Sequence, residues 1–150
     1  MKPLKNACVV LACASLLVGQ FGCETTKKVT DAVVSSVRFD SSALKRDKET
    51  KKEALALIAR AKSGKPYTDA AADADKLMAK IDQAISTEQG RPKNAPTVAQ
   101  WNKIKTQLSK FFNLWKSKGS LSPTFAEDAE SAVGGLFDIL IKTENDKPKQ

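Results

Sequence analysis

Apolar residues recur along most of this chain at three- and four-residue spacing, and they nowhere alternate over the length of a strand. The pattern predicts four amphipathic helices. The first runs from Ala43 to Ser63, after the helix-start residues Asp40-Ser41-Ser42, and ends at Gly64-Lys65-Pro66. Its second half carries Ala54, Leu55, Ile58 and Ala61 on one side. Its first half, Lys45 to Glu53, is polar almost all round and is expected to stand proud of the core or fray. The second helix runs from Asp69 to Gln89, capped by Thr68 or Asp69, with Ala70, Ala74, Leu77, Ile81, Ala84 and Ile85 as its stripe.

The third helix opens at Thr97-Val98-Ala99-Gln100, which reads as a capping box, and closes at Gly119. Trp101, Ile104, Leu108, Phe111, Phe112 and Trp115 fall within about one third of its circumference. The fourth opens at Ser122-Pro123, with proline at the first helical position. Phe125, Ala129, Ala132, Leu136, Ile139 and Leu140 form its expected stripe, which leaves Phe137 and Ile141 off the stripe, either as a candidate partner surface or as a cover for the bundle end. Short loops rich in Gly and Pro force antiparallel neighbours. The expected fold is therefore all-α: an up-down-up-down four-helix bundle over residues 43–142, followed by a polar tail, 143–150. Ahead of it, Val29, Val33 and Val37 mark a thin helical stripe in a tether, which could pack on the bundle or lie near a membrane.

Composition narrows the chemistry. The chain has 150 residues, enough for one domain with an unassisted core. It has no histidine, so the commonest acid-base group and metal ligand is missing. Its three cysteines, Cys8, Cys13 and Cys23, all lie in the first 23 residues, and the body has no disulfide staples. No phosphate-binding loop or serine-nucleophile motif occurs. These features predict a noncatalytic protein with no cofactor and no metal.

The first 22 residues read as an address. Lys2 and Lys5 precede an apolar run, Ala7 to Val18, that is too short for a bilayer span of about 20 residues. Gly22 then precedes Cys23. This arrangement resembles a bacterial lipoprotein signal peptide, in which cleavage falls between Gly22 and Cys23 and the cysteine is lipidated. The lipobox is imperfect, with Gln20 and Phe21 where such signals favour Leu and a small residue. Val10-Leu11-Ala12-Cys13 fits the lipobox better but leaves a shorter apolar stretch, so Cys13 is the rival site; ordinary secretion or an uncleaved anchor are the others. The resemblance implies a signal peptide at 1–22, a lipidated N-terminus and tether at 23–42, and a lipid-anchored place in the bacterial envelope facing the periplasm. Glu24 after the cysteine, instead of Asp, leans toward the outer membrane.

Charge adds a second hint. The chain has 25 Lys+Arg against 17 Asp+Glu; without Lys2 and Lys5 the balance is 23 against 17, a charge of +6. Such an excess attracts anionic envelope surfaces, though a mixed solvated surface explains it as well. The third helix has five lysines, Lys103, Lys105, Lys110, Lys116 and Lys118, but they scatter around the face opposite the aromatics, as on a core helix with a solvated back. Nucleic acid is not an expected partner. Asp69, Asp73 and Asp75 do not converge, because Asp73 and Asp75 point about 160° apart on a helix. Gly134-Gly135, mid-helix, reads as a close approach, a kink or a hinge.

Together these readings predict a membrane-anchored lipoprotein whose bundle binds another envelope component: a protein, peptidoglycan or anionic lipid. The alternative is a soluble exported enzyme or small-ligand carrier with its site in the bundle core. That alternative requires polar side chains pointing inward, for which Asp47 and Lys51 are the main candidates.

Overall fold

The computed structural model describes residues 38–149, and within them the chain is a four-helix bundle. Gly22, Cys23, the rival Cys13 and the valine stripe lie outside the described residues. Helix α1 spans Ser41–Lys62, α2 Ala71–Gln89, α3 Ala95–Lys118 and α4 Pro123–Asn145; a single 3-10 turn, Tyr67–Asp69, precedes α2. Each helix packs on its two neighbours in an antiparallel ring, with α1 also against α4. No described helix is long and apolar enough to cross a membrane.

Local chemistry sets most of the helix ends. The Asp40 carboxylate accepts hydrogen bonds from the Ser42 and Ala43 amides at 2.8 and 3.3 Å, capping α1. The Ser122 hydroxyl accepts from the Phe125 amide ahead of Pro123 and caps α4. Gly64 and Gly119 follow α1 and α3 with φ of +75° and +76°, a conformation that side chains with a Cβ resist.

Two expected caps are absent. Instead of Thr68 or Asp69, the buried Ala70 precedes α2, with no side-chain cap. The Tyr67 amide donates to the Gly119 carbonyl at 3.0 Å, which fixes a 3-10 turn there and delays the helix. The Thr97–Gln100 box does not form either, because α3 begins two residues earlier. The Gln100 amide instead donates to the Leu136 carbonyl of α4 at 2.7 Å.

The core is continuous. Ile58, Leu77, Ile81, Trp101, Ile104, Leu108, Trp115, Phe137 and Leu140 are all fully or almost fully buried within it. The expected aromatic stripe of α3 is therefore core. The end of the bundle near Gly119 is aromatic: Tyr67 meets Trp115 edge-to-face at 5.5 Å, Phe111 stacks on Phe125, and the Trp115 indole donates to the Lys65 carbonyl at 3.0 Å.

Helix α4 corrects its expected stripe. Ala126, Ala129, Val133, Phe137 and Leu140 face inward, whereas Phe125 is 40% exposed and Ile139 55%. The helix is apolar on two adjacent flanks, so periodicity had two solutions. The pairing of Phe137 with Trp101, edge-to-face with centroids 5.8 Å apart, selects the one seen. Phe137 is thus a core residue and not a partner surface; Ile141 is half-buried.

Gly134 and Gly135 lie within an unbroken helix, and the close-approach reading is not required by space. A Cβ at Gly134 would meet only the Leu55 Cδ2 at 4.0 Å, an ordinary contact, and one at Gly135 would meet nothing. Gly135→Ala is therefore expected to raise stability by up to about 1 kcal/mol through helix propensity. Its urea midpoint, compared with that of the parent chain, checks this.

Candidate functional site

The polar residues that sequence periodicity set aside converge at the other end of the bundle. Along α1, Ala43, Asp47, Thr50, Ala54, Leu57 and Ala61 form one buried line at heptad-like spacing. The first half of α1 therefore does not fray; its inward positions are simply polar. Glu88 continues the stripe of α2 by one turn, and Glu144 does the same for α4. Thr97 extends the stripe of α3 toward its N-terminus. Antiparallel packing brings these four extensions to one end.

There they build an ion network. Arg91, in the loop after α2, donates to Glu88 at 2.7 Å and to both oxygens of Glu144, at 3.0 and 3.2 Å. Arg46 of α1 reaches across to Glu88 and approaches Asp47 at 3.4 Å. Lys147, just beyond α4, holds Glu144 and donates to the side-chain Oδ1 of Asn94 at 3.0 Å; the side-chain Nδ2 of Asn94 in turn donates to Glu88. That engagement is why Asn94, at the start of α3, gives the helix no side-chain cap. Glu88 and Glu144 stand at helix C-termini, where the dipole disfavours anions, and Arg46, Arg91 and Lys147 offset this by pairing with them.

The network also seizes the chain's entry and exit. The Asp40 amide donates to Glu144 at 2.8 Å, and Arg91 donates to the Arg38 carbonyl at 2.6 Å. The Phe39 amide donates to the Pro148 carbonyl at 3.0 Å, and Lys149 lies over the Phe39 ring. The ordered bundle thus extends past the expected bounds of 43 and 142: Glu144 and Lys147, placed in a solvated tail by their polarity, are buried parts of it.

Electrostatics divide the acids. Burial alone would push Glu144 up, but hydrogen bonds from Arg91, Lys147 and the Asp40 amide hold it below the usual carboxylate value. Asp47 goes the other way. Burial, helped by the charges of Glu88 and Glu144, pushes it up to about 7 against the pull of Arg46. One Asp47 oxygen, the Arg46 Nε, the Thr97 hydroxyl and the Trp101 indole nitrogen are buried without a hydrogen-bond partner among the described groups. The Arg46 guanidinium lies 6.0 Å from the centre of the Trp101 ring. These atoms can bind water, exchange a proton near neutrality or accept a small polar molecule.

Elsewhere the surface offers open clefts. One of about 470 Å³ lies between α1 and α2 over Leu57 and Leu77, crossed by the ion pairs Arg60–Asp73 at 2.8 Å and Lys80–Glu53 at 2.7 Å. Asp73 is thus spent on Arg60, and the arginine also donates to the Asp69 carbonyl, so the three aspartates form no site. Among the described residues no group of acids, cysteines and histidines is placed to hold a metal ion. Lys103, Lys110, Lys116 and Lys118 are exposed on α3, and Lys105 pairs with Asp82 at 2.5 Å. Searches of protein-family models, curated proteins and solved structures found no significant match to this chain.

Proposed function

We propose that this is a noncatalytic lipoprotein, held at a bacterial membrane by acylated Cys23, whose helical bundle binds another component of the envelope. The observation that carries the reading is the N-terminal one: a basic start, a short apolar run and Gly22-Cys23, with no cysteine in the remaining chain. Acylation consumes a thiol that would otherwise be an unpaired liability in an exported protein. Several acyl chains hold a protein firmly, where one binds weakly. Fourteen residues separate Cys23 from Arg38, a reach of at most about 50 Å when fully extended, so the bundle stays close to the lipid surface. The network at the polar end supports the reading in a second way, since most of its charges are spent on one another and on the chain's own entry strand.

The bound component is a protein, peptidoglycan or an anionic lipid surface, and the basic excess favours an anionic one. The reading is tested by replacing Cys23 with Ser and fractionating cells. The parent chain is expected in the membrane fraction and Cys23→Ser in the soluble periplasmic fraction; a variant that still floats with membranes overturns the anchor. Crosslinking in intact envelopes then identifies the component held.

A second reading, a soluble exported enzyme or small-ligand carrier, draws on the unpartnered atoms of Asp47, Thr97 and Trp101. Such atoms are the usual seats of internal water, which satisfies them without a dedicated ligand, so the anchored reading stands first.

A further inference from the structure

Five lysines scatter around α3, and the fold gathers three of them. Lys105 is spent on Asp82 of α2, and Lys116 lies on the same flank. Lys103, Lys110 and Lys118 fall, with Gln107 and Leu114, within a sector about 80° wide on the flank toward α4, at 100° per residue. All three lysines are exposed, and among the described residues none of them enters an ion pair. Cations elsewhere on the bundle are used differently: Lys51, Lys62 and Lys80 each reach an acid on a neighbouring helix. Helix α3 has no acid over its 24 residues, and the adjoining flank of α4 offers only Asp128.

That flank of α4 is apolar and open. Phe125, Ala132, Leu136 and Ile139 fall within a sector about 60° wide. Phe125 and Ile139 are the two large apolar side chains left exposed among the described residues, and both stand here. The Phe111–Phe125 stack and the Gln100–Leu136 hydrogen bond hold this flank beside the lysines and set its register. Lys110 is thereby level with Phe125, and Lys103 lines the same cleft as Leu136. Along the helix axis Phe125 and Ile139 stand about 21 Å apart.

A lone apolar residue or a lone lysine is common on any surface. Together on one face they match one kind of partner. An anionic bilayer satisfies both, since its phosphates attract lysines and its headgroup–acyl boundary accepts apolar side chains. A soluble polyanion would leave Phe125 and Ile139 wet, and an apolar protein groove would leave three cations without anions.

We propose that the α3–α4 face lies on an anionic lipid bilayer, with Lys103, Lys110 and Lys118 at the lipid phosphates and Phe125 and Ile139 dipped below them. The proposal deepens the anchored reading and rests on it for the place where the chain meets a bilayer. The acyl chains attach the protein, and this face makes the bundle lie on its side, with the α1–α2 cleft turned away from the lipid.

The test uses the full chain with Cys23→Ser, which carries no acyl group, so the face is read separately from the anchor; fractionation of cells reads the anchor alone. The protein is briefly acetylated with and without vesicles, either of phosphatidylglycerol mixed with phosphatidylcholine or of phosphatidylcholine alone, and the rate at each lysine is followed by mass spectrometry. The phosphatidylglycerol vesicles are expected to slow Lys103, Lys110 and Lys118 several-fold and to leave Lys48 and Lys52, exposed on α1, near their free rates. Phosphatidylcholine alone should protect none of them. Ile139→Asp, at an exposed position, should release the protection with an unchanged urea midpoint. With Lys103→Gln and Lys110→Gln together, protection of Lys118 should need about 25-fold more anionic lipid, at about fivefold for each lysine near an anionic surface. Equal slowing of all lysines, protection centred on Lys48 and Lys52, protection that survives Ile139→Asp, or no protection by vesicles would each overturn the proposal. If vesicles fail while intact envelopes shield the same three lysines, the face belongs to a protein partner and the proposal is likewise overturned.

Discussion

Replacing Glu144 with alanine is expected to lower stability by about 3–5 kcal/mol. The side chain is fully buried and accepts hydrogen bonds from Arg91, Lys147 and the Asp40 amide. Truncating it leaves Arg91 and Lys147 beside each other without their shared anion, and leaves the Asp40 amide without its acceptor. The cost is thus mostly that of stranded cations, and not the net worth of the pair. A urea titration should show the midpoint falling with an unchanged slope, as for a loss of stability without a change in the surface exposed. A loss under 1 kcal/mol would mean that water reaches these groups and that the end of the bundle is not dry.

Asp47→Asn is expected to act in the opposite direction, and only above about pH 4. The folded chain holds the Asp47 proton up to about pH 7, whereas the unfolded chain releases it near the ordinary value of 3.8. Between those values the folded state binds more protons, so the stability of the parent chain falls as pH rises. Asn mimics the neutral acid and removes that decline. The variant should match the parent near pH 4 and exceed it increasingly up to pH 7, by an amount on the order of 1–3 kcal/mol. Glu144 has the reverse sign: its depressed value contributes stability above about pH 4.5 that is lost as pH falls further. Stability of the parent chain is therefore expected to peak in the mildly acidic range. Chemical denaturation of both chains from pH 4 to pH 8 checks this; parallel curves would show that Asp47 is ionised throughout.

The two variants bear on what was legible in the sequence. The four helices, their order and the aromatic core were readable because their apolar stripes run for several turns and their breaks carry Gly or Pro. The polar end was not. Asp47 was legible as a polar interruption of the first helix, but a search for apolar residues drops Thr50, Glu88 and Glu144, although each sits in register with the stripe beside it. The register alone could have flagged them: Glu144, for instance, follows Leu140 by four. What the register could not supply was the set of partners, because Arg46, Arg91 and Lys147 lie on three segments that meet only in the fold. The misassigned flank of α4 has a related origin. Its sequence is apolar over so wide an arc that the inward side is decided by Trp101, a residue on another helix. Likewise, the caps expected before α2 and α3 failed where tertiary bonds, Tyr67 to Gly119 and Gln100 to Leu136, took over the local chain.

The latch between Phe39 and Pro148 has a mechanical meaning. Both ends of the described chain leave from the same face, so tension applied through either one loads the salt-linked rim first, as a zip opened from its slider. The aromatic half, some six helical turns away by the length of α3, bears no strain until that rim parts. A bundle hung in this way can be tugged at its mounting without loosening its heart.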